Sequence, residues 1–161
     1  MKLKIAFAAI ILLLSFAAPV AAGPLDDGTT AYDRGDYATA LRLFRPLANQ
    51  GDAGAQYNLG VMYALGQGVA QNHAEAVKWY RKAADQGVAK AQYNLGGMYA
   101  KGLGVPQDLV LAHMWFNLSA AQGKQDAAHN RDVAVQHMTP AQIAEAQKLA
   151  REWKPTKHTP E

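Results

Sequence analysis

From Ala53 onward the apolar positions fall on helical faces. Between Ala53 and Leu65, the residues Ala55, Leu59, Met62 and Tyr63 stand at i, i+4, i+7 and i+8, a single stripe of a helix. Gly66 follows, where a helix C-terminal cap is wanted. Between Asn72 and Gln86, the residues Ala76, Trp79, Tyr80 and Ala83 keep the same spacing, and Gly87 ends the segment. Asn72 and Asp108 have the side chains of good N-caps. The pattern predicts an all-α chain of paired helices.

The pattern also repeats. Gln56-Tyr57-Asn58-Leu59-Gly60 returns as Gln92-Tyr93-Asn94-Leu95-Gly96, an offset of 36 residues. Sliding Tyr37–Asn72 onto His73–Asp108 matches 20 of 36 positions. A weaker third copy aligns Ala40, Ala76 and Ala112, then Leu43, Trp79 and Trp115, then Phe44, Tyr80 and Phe116, then Gly51, Gly87 and Gly123. A fixed period of this length marks a stacked repeat, in which neighbouring helix pairs bury what one pair alone leaves exposed. Small residues such as Ala76, Ala83, Gly60 and Gly96 let helix axes approach. Aromatic residues such as Tyr80 and Phe116 fill the layers between them. The loop Gly66-Gln67-Gly68-Val69, repeated as Gly102-Leu103-Gly104-Val105, suggests backbone with positive φ or a tight approach.

The ends depart from the repeat. Residues 23–28 read as a flexible N-terminus and 29–52 as a partial unit, with Thr29–Arg34 the tail of a shortened helix. Two full units cover 53–88 and 89–124. Residues 125–153 read as capping helices. Arg131 and Asp132 replace the Leu and Gly of the repeat there, and Thr139-Pro140 opens the last helix. Residues 154–161 read as a disordered tail.

The first 22 residues form a separate class of segment. Lys2 and Lys4 precede an apolar run from Ile5 to Ala18, then Pro19 and the small residues before Gly23. This is the three-part pattern of a secretory signal peptide, with cleavage expected after Ala22. The apolar run is about 13 residues, whereas a spanning helix needs roughly 20. No membrane span is expected in the mature chain. A periplasmic or secreted address follows.

Charge and composition then narrow the chemistry. The whole chain carries a net charge of +3, but without Lys2 and Lys4 it holds 14 basic against 13 acidic side chains. No basic block remains that would mark a nucleic-acid partner. There are no cysteines, which excludes disulfides, thiolate metal sites and a cysteine nucleophile. None of the five histidines stands in a His-Glu-x-x-His pattern, and surface or groove positions are expected for them. Ser119 sits in a helix rather than a nucleophile elbow, and no Lys-Ser/Thr follows Gly66-x-Gly68 as a phosphate loop needs. No enzyme activity, cofactor or metal site is expected.

The string Ala-Gln-Tyr-Asn-Leu-Gly-x-Met-Tyr-x-x-Gly-x-Gly-Val, followed by Ala-x-x-Trp-Tyr-x-x-Ala-Ala-x-x-Gly, resembles the Sel1-like repeat. That repeat is a relative of the tetratricopeptide repeat with a longer loop between its helices. The resemblance implies a right-handed superhelix, an α-solenoid of antiparallel helix pairs. It implies an adaptor or regulator that binds other proteins. Exported bacterial members of the family act in envelope signalling and exopolysaccharide production. A cysteine-rich branch is linked to β-lactam chemistry, and that activity does not carry over to a chain without cysteine.

In the tetratricopeptide fold the first helix of each pair lines a concave groove. The resemblance places Tyr57, Asn58 and Val61 on that face in the first unit. In the second it places Lys90, Tyr93, Asn94 and Lys101, and in the capping unit His129, Asn130 and Val133. A ladder at spacing 36, Asn58, Asn94 and Asn130, runs beside Tyr57, Tyr93 and His129. Amide side chains offer donors and acceptors to the backbone of an extended protein segment, and aromatic neighbours add contact area. The other reading is that Tyr-Asn is a packing element of the repeat. A protein partner is expected, with cell-envelope glycan or peptidoglycan as the alternative ligand. Self-association through the open ends of a short superhelix is also open.

Overall fold

The computed structural model describes residues 23–156, so the expected signal peptide and residues 157–161 of the expected tail lie outside the described residues. The described residues form eight helices and no strand. They are α1 (Pro24–Asp33), α2 (Tyr37–Asn49), α3 (Ala53–Leu65), α4 (His73–Asp85), α5 (Ala89–Lys101), α6 (Leu109–Ala121), α7 (Gln125–Val135) and α8 (Pro140–Glu152). Each helix from α1 to α6 packs against the next in the chain, so the pairs α1–α2, α3–α4 and α5–α6 stack into an α-solenoid.

Within each pair a glycine of the first helix lies under an aromatic ring of the second. A methyl group added at Gly28 would stand 2.5 Å from the Phe44 ring, one at Gly60 2.5 Å from Tyr80, and one at Gly96 2.8 Å from Phe116. No side chain but hydrogen fits these positions. The rings gain in return: Phe44, Tyr80 and Phe116 are all buried, and each such burial contributes about 1.5–3 kcal/mol. Ala40, Ala76 and Ala112, which align along the repeat, are wholly buried in the same layers.

The loops are held by their own chemistry. Gly66 and Gly102 close α3 and α5 in the left-handed conformation, at φ 70° and 66°. Gln71 Nε2 donates to the Ala64 carbonyl and Gln107 Nε2 to that of Ala100, both at 2.8 Å. The second loop glycine has a different duty. Gly68 lies on the backbone at Tyr37, and Gly104 lies against the backbone of His73, so each loop seats on the preceding unit's second helix. Asn72 and Asp108 accept from the N–H groups of Glu75 and Leu111 and cap α4 and α6.

A second ladder, of buried glutamines, was not expected. Gln56 is buried, donates to the Ala48 carbonyl at 3.1 Å and accepts from Gln86 Nε2 at 2.8 Å. One period later Gln92 donates to Ala84 at 3.2 Å and accepts from Gln122 at 2.8 Å. Each amide thus joins three successive helices. A buried amide left unpaired costs about 1–3 kcal/mol, so the ladder fixes the stacking register as well as stabilising it.

The N-terminus corrects one expectation. Residues 24–28 belong to α1 and are not a flexible lead-in. Pro24 at the first helical position starts the helix, Leu25 packs into the N-terminal core, and Gly28 receives Phe44. Tyr32 and Tyr37 then meet edge to face, 5.3 Å apart. Both hydroxyls bind the Gln67 side chain from the next unit's loop.

The C-terminal unit breaks the repeat for a steric reason. Asp132 occupies the register of Gly60 and Gly96, so no ring can settle on α7 as Phe116 settles on α5. Helix α8 packs instead on α6, where Trp153 meets Trp115 edge-on with ring centres 6.3 Å apart. Trp115 is buried there, while the aligned Trp79 stays half-buried under the ammonium of Lys82. The start of the expected disordered tail is tied down, since Thr156 N–H donates to the Asp85 carbonyl at 2.8 Å. His113 of α6 is a further correction: it is 2% exposed, not at the surface or in the groove. Burial, and then the nearby Arg131, hold its imidazole below the usual histidine range.

Substitutions at glycine separate these roles. Gly60→Ala and Gly96→Ala are expected to destabilise the fold by about 1–3 kcal/mol through overpacking against a ring. Gly97→Ala, where an added methyl meets nothing within 4 Å, is expected to stabilise it by about 0.5–1 kcal/mol through helix propensity. Urea unfolding of the three variants checks both signs. Similar effects at Gly96 and Gly97 would contradict the packing described.

Candidate functional site

Helices α3, α5 and α7 are the first helices of three successive units, and they enclose an open groove of about 980 Å³. From α3 it takes Tyr57, Val61, Ala64 and Leu65. From α5 it takes Tyr93, Asn94, Gly97 and Lys101, and from the α7 unit Asn130, Val133, Ala134 and His137. Tyr80 and Phe116 reach its floor from the second helices. Leu103, Gln107 and Leu109, from the α5–α6 loop and the start of α6, extend one wall.

Seven of the ten residues expected to line a groove meet here: Tyr57, Val61, Tyr93, Asn94, Lys101, Asn130 and Val133. Asn58, Lys90 and His129 do not line it. Lys90 and His129 are exposed nearer the N-terminal ends of their helices, and Asn58 is half-buried. Leu103 of the α5–α6 loop and Leu109 at the start of α6 lie outside the first helices, to which the resemblance confines the groove.

The Asn and Tyr ladders are joined to each other. Asn130 Nδ2 donates to the Tyr93 hydroxyl at 3.2 Å across the α5–α7 gap. One unit earlier Asn94 faces the hydroxyls of Tyr57 and Tyr80. Burial pushes both phenols up, and the Asn94 amide beside them pulls each partly back; Lys124 also lowers Tyr57. Both phenols stay protonated at neutral pH. The glycine register sets Leu25 where Tyr57 and Tyr93 stand, so Asn58 has no hydroxyl to meet. Rings stiffen the same seam: Tyr57 and Tyr80 lie 6.0 Å apart, Tyr93 and Phe116 5.9 Å, and Lys124 Nζ sits 4.7 Å over the Tyr93 ring.

The groove walls are apolar, with a few amide and hydroxyl groups between them. Leu65 is 60% exposed and Val133 41%; they are the exposed large hydrophobic side chains among the described residues, and both stand on the groove. Gly97 hollows the floor between Val61 and Val133, at the register those valines occupy in their own units. Among the described residues no group of three or more His, Cys, Asp or Glu side chains could hold a metal ion.

A family model for the Sel1 repeat matches residues 25–52, 53–88 and 89–124, more than half of the chain. The chain belongs to the Sel1 repeat family. Solved structures agree. A protective antigen of uropathogenic Escherichia coli strains, described as displaying an SLR fold, is 31% identical with a TM-score of 0.77 over 81% of this chain. A Sel1 repeat protein from Oxalobacter formigenes is 30% identical with a TM-score of 0.64 over 79% of this chain. The chain spans 29% of the first and 54% of the second. No curated protein matches it. Sel1 repeat proteins are in general scaffolds for protein interaction, and the repeat is typically non-catalytic.

A double-mutant cycle on Asn130→Ala and Tyr93→Phe tests whether the ladder of this Sel1 repeat chain is a structural element. A coupling of about 0.5–1.5 kcal/mol in unfolding free energy is expected for a half-buried hydrogen bond. Additive effects would show that Asn130 and Tyr93 are not coupled across the α5–α7 gap.

Proposed function

We propose that this chain is an exported, non-catalytic interaction module of the bacterial envelope, and that it holds an extended segment of a protein partner in the groove between α3, α5 and α7. The observation that carries this reading is the coincidence of the groove with the exposed large hydrophobics, Leu65 and Val133. A folded chain keeps such side chains on a concave face at a cost in solubility, and that cost is offset when a partner covers them. Asn94 offers the amide chemistry that an extended backbone needs. The exported address rests on the sequence of residues 1–22. No helix of the described residues is long and apolar enough to cross a membrane.

The site is small, and an interface at the low end of the stable range, about 1,200 Å² in total, suits it. A role in envelope signalling or its regulation fits a module of this kind. The glycan alternative gains no specific support: Trp115, the best aligned indole, is buried under α8 rather than displayed as a platform for a sugar ring.

Photo-crosslinking in intact cells tests the proposal. A photoreactive side chain at Val61 or Val133 is expected to form a discrete adduct with another protein. The same group at the exposed Lys148 on α8 is expected to form none. Adducts of equal yield from both faces, or adducts with cell-wall glycan only, would overturn the reading.

A further inference from the structure

We propose that the groove selects for charge as well as shape, taking an extended apolar segment that carries acidic side chains beside its apolar core; this rests on the groove being the binding site. Among the described residues no aspartate or glutamate lines the groove. Its charged or basic side chains are Lys101 at the end of α5 and His137 just beyond α7, and both stand at the same end. Lys101 is exposed and forms no ion pair among the described residues, whose pairs are Lys78–Glu75, Lys124–Asp126 and Arg131–Asp132. The C-terminus of α5 places a partial negative charge near Lys101. That dipole is worth about half an elementary charge and leaves the site positive on balance.

The shape of the groove sets the other half of the recognition. Val61 and Leu65 on one wall face Val133 on the other, and Gly97 leaves the floor open between them. An apolar side chain of the ligand therefore has one place to go, above Gly97. Lys101 lies four residues further along α5, one helical turn from Gly97 on the same face. A ligand with its apolar side chain over Gly97 thus carries its flanking residues past Lys101. An acidic flank finds a partner there. A basic flank meets like charge with no carboxylate to relieve it, which works as rejection.

The test uses three synthetic nine-residue peptides with one shared apolar core. Their flanks, on both sides so that direction does not matter, are glutamate, glutamine or lysine. Binding to the full mature chain is followed by calorimetry. The glutamate peptide is expected to bind about tenfold more tightly than the glutamine peptide, and the lysine peptide more weakly still, with the difference shrinking as salt is raised. Lys101→Glu is expected to reverse the order. Gly97→Leu fills the hollow without touching the core and is expected to abolish binding of all three.

Equal affinity for the three peptides, or a preference that survives Lys101→Glu, would overturn the charge selection. If those equal affinities were still lost in Gly97→Leu, the groove would stand as the binding site and this inference alone would fail. Binding unaffected by Gly97→Leu would remove the groove itself. Absence of binding by every peptide would also overturn the inference, and the crosslinking from Val61 and Val133 decides the broader reading independently.

Discussion

The close approach of a ring to a glycine backbone governs this structure. Phe44 on Gly28, Tyr80 on Gly60 and Phe116 on Gly96 set how near the second helix of each pair lies to the first. Because the contact admits no Cβ, it fixes the rotation of both helices, not merely their distance. Other features follow from that rotation. The buried glutamines Gln56 and Gln92 reach carbonyls of the preceding unit only when the pairs stack in this register. The capping unit shows the constraint by its absence. Asp132 replaces the glycine, and α8 leaves α7 to pack on α6.

The same rotation makes the groove. With Gly96 turned toward Phe116, its neighbour Gly97 turns away from the core and opens the floor. Tyr57 and Tyr93 point across to the next unit, where Asn130 donates to the Tyr93 hydroxyl and Asn94 stands beside that of Tyr57. The two ladders are therefore spacers that hold α3, α5 and α7 apart at a set width. Asn94 also lines the groove, so one residue type holds the gap and presents an amide to whatever fills it. On the proposed reading, packing and recognition are successive uses of one repeated pair.

The amino-acid pattern showed the helices well where periodicity and caps agreed. Ala53–Leu65 forms a helix over the residues that its stripe of Ala55, Leu59 and Met62 predicts, and Thr139-Pro140 opens α8. The start of α1 was hidden because Pro24, Asp26, Asp27 and Gly28 have the composition of a loop, and it is the packing of Gly28 on Phe44 and of Leu25 into the N-terminal core that orders them. The glutamine ladder was hidden because glutamine is ordinarily a surface residue, although its identity at positions 56 and 92 and at 86 and 122 was a usable signal. The burial of His113 depends on where α7 and α8 pack, which no local pattern encodes. Of the groove, the first-helix walls were legible through the family resemblance. The loop wall of Leu103 and Leu109 was not, since its place depends on the loop folding back.

The proposed meeting place of this chain with its partner is the groove above Gly97. Backbone amide chemical shifts recorded while the glutamate-flanked apolar peptide is added test it most directly. Perturbations are expected to concentrate at Val61, Asn94, Gly97, Lys101 and Val133, with α8 unmoved. Perturbations centred on α6 and α8, or spread evenly over the chain, would contradict it.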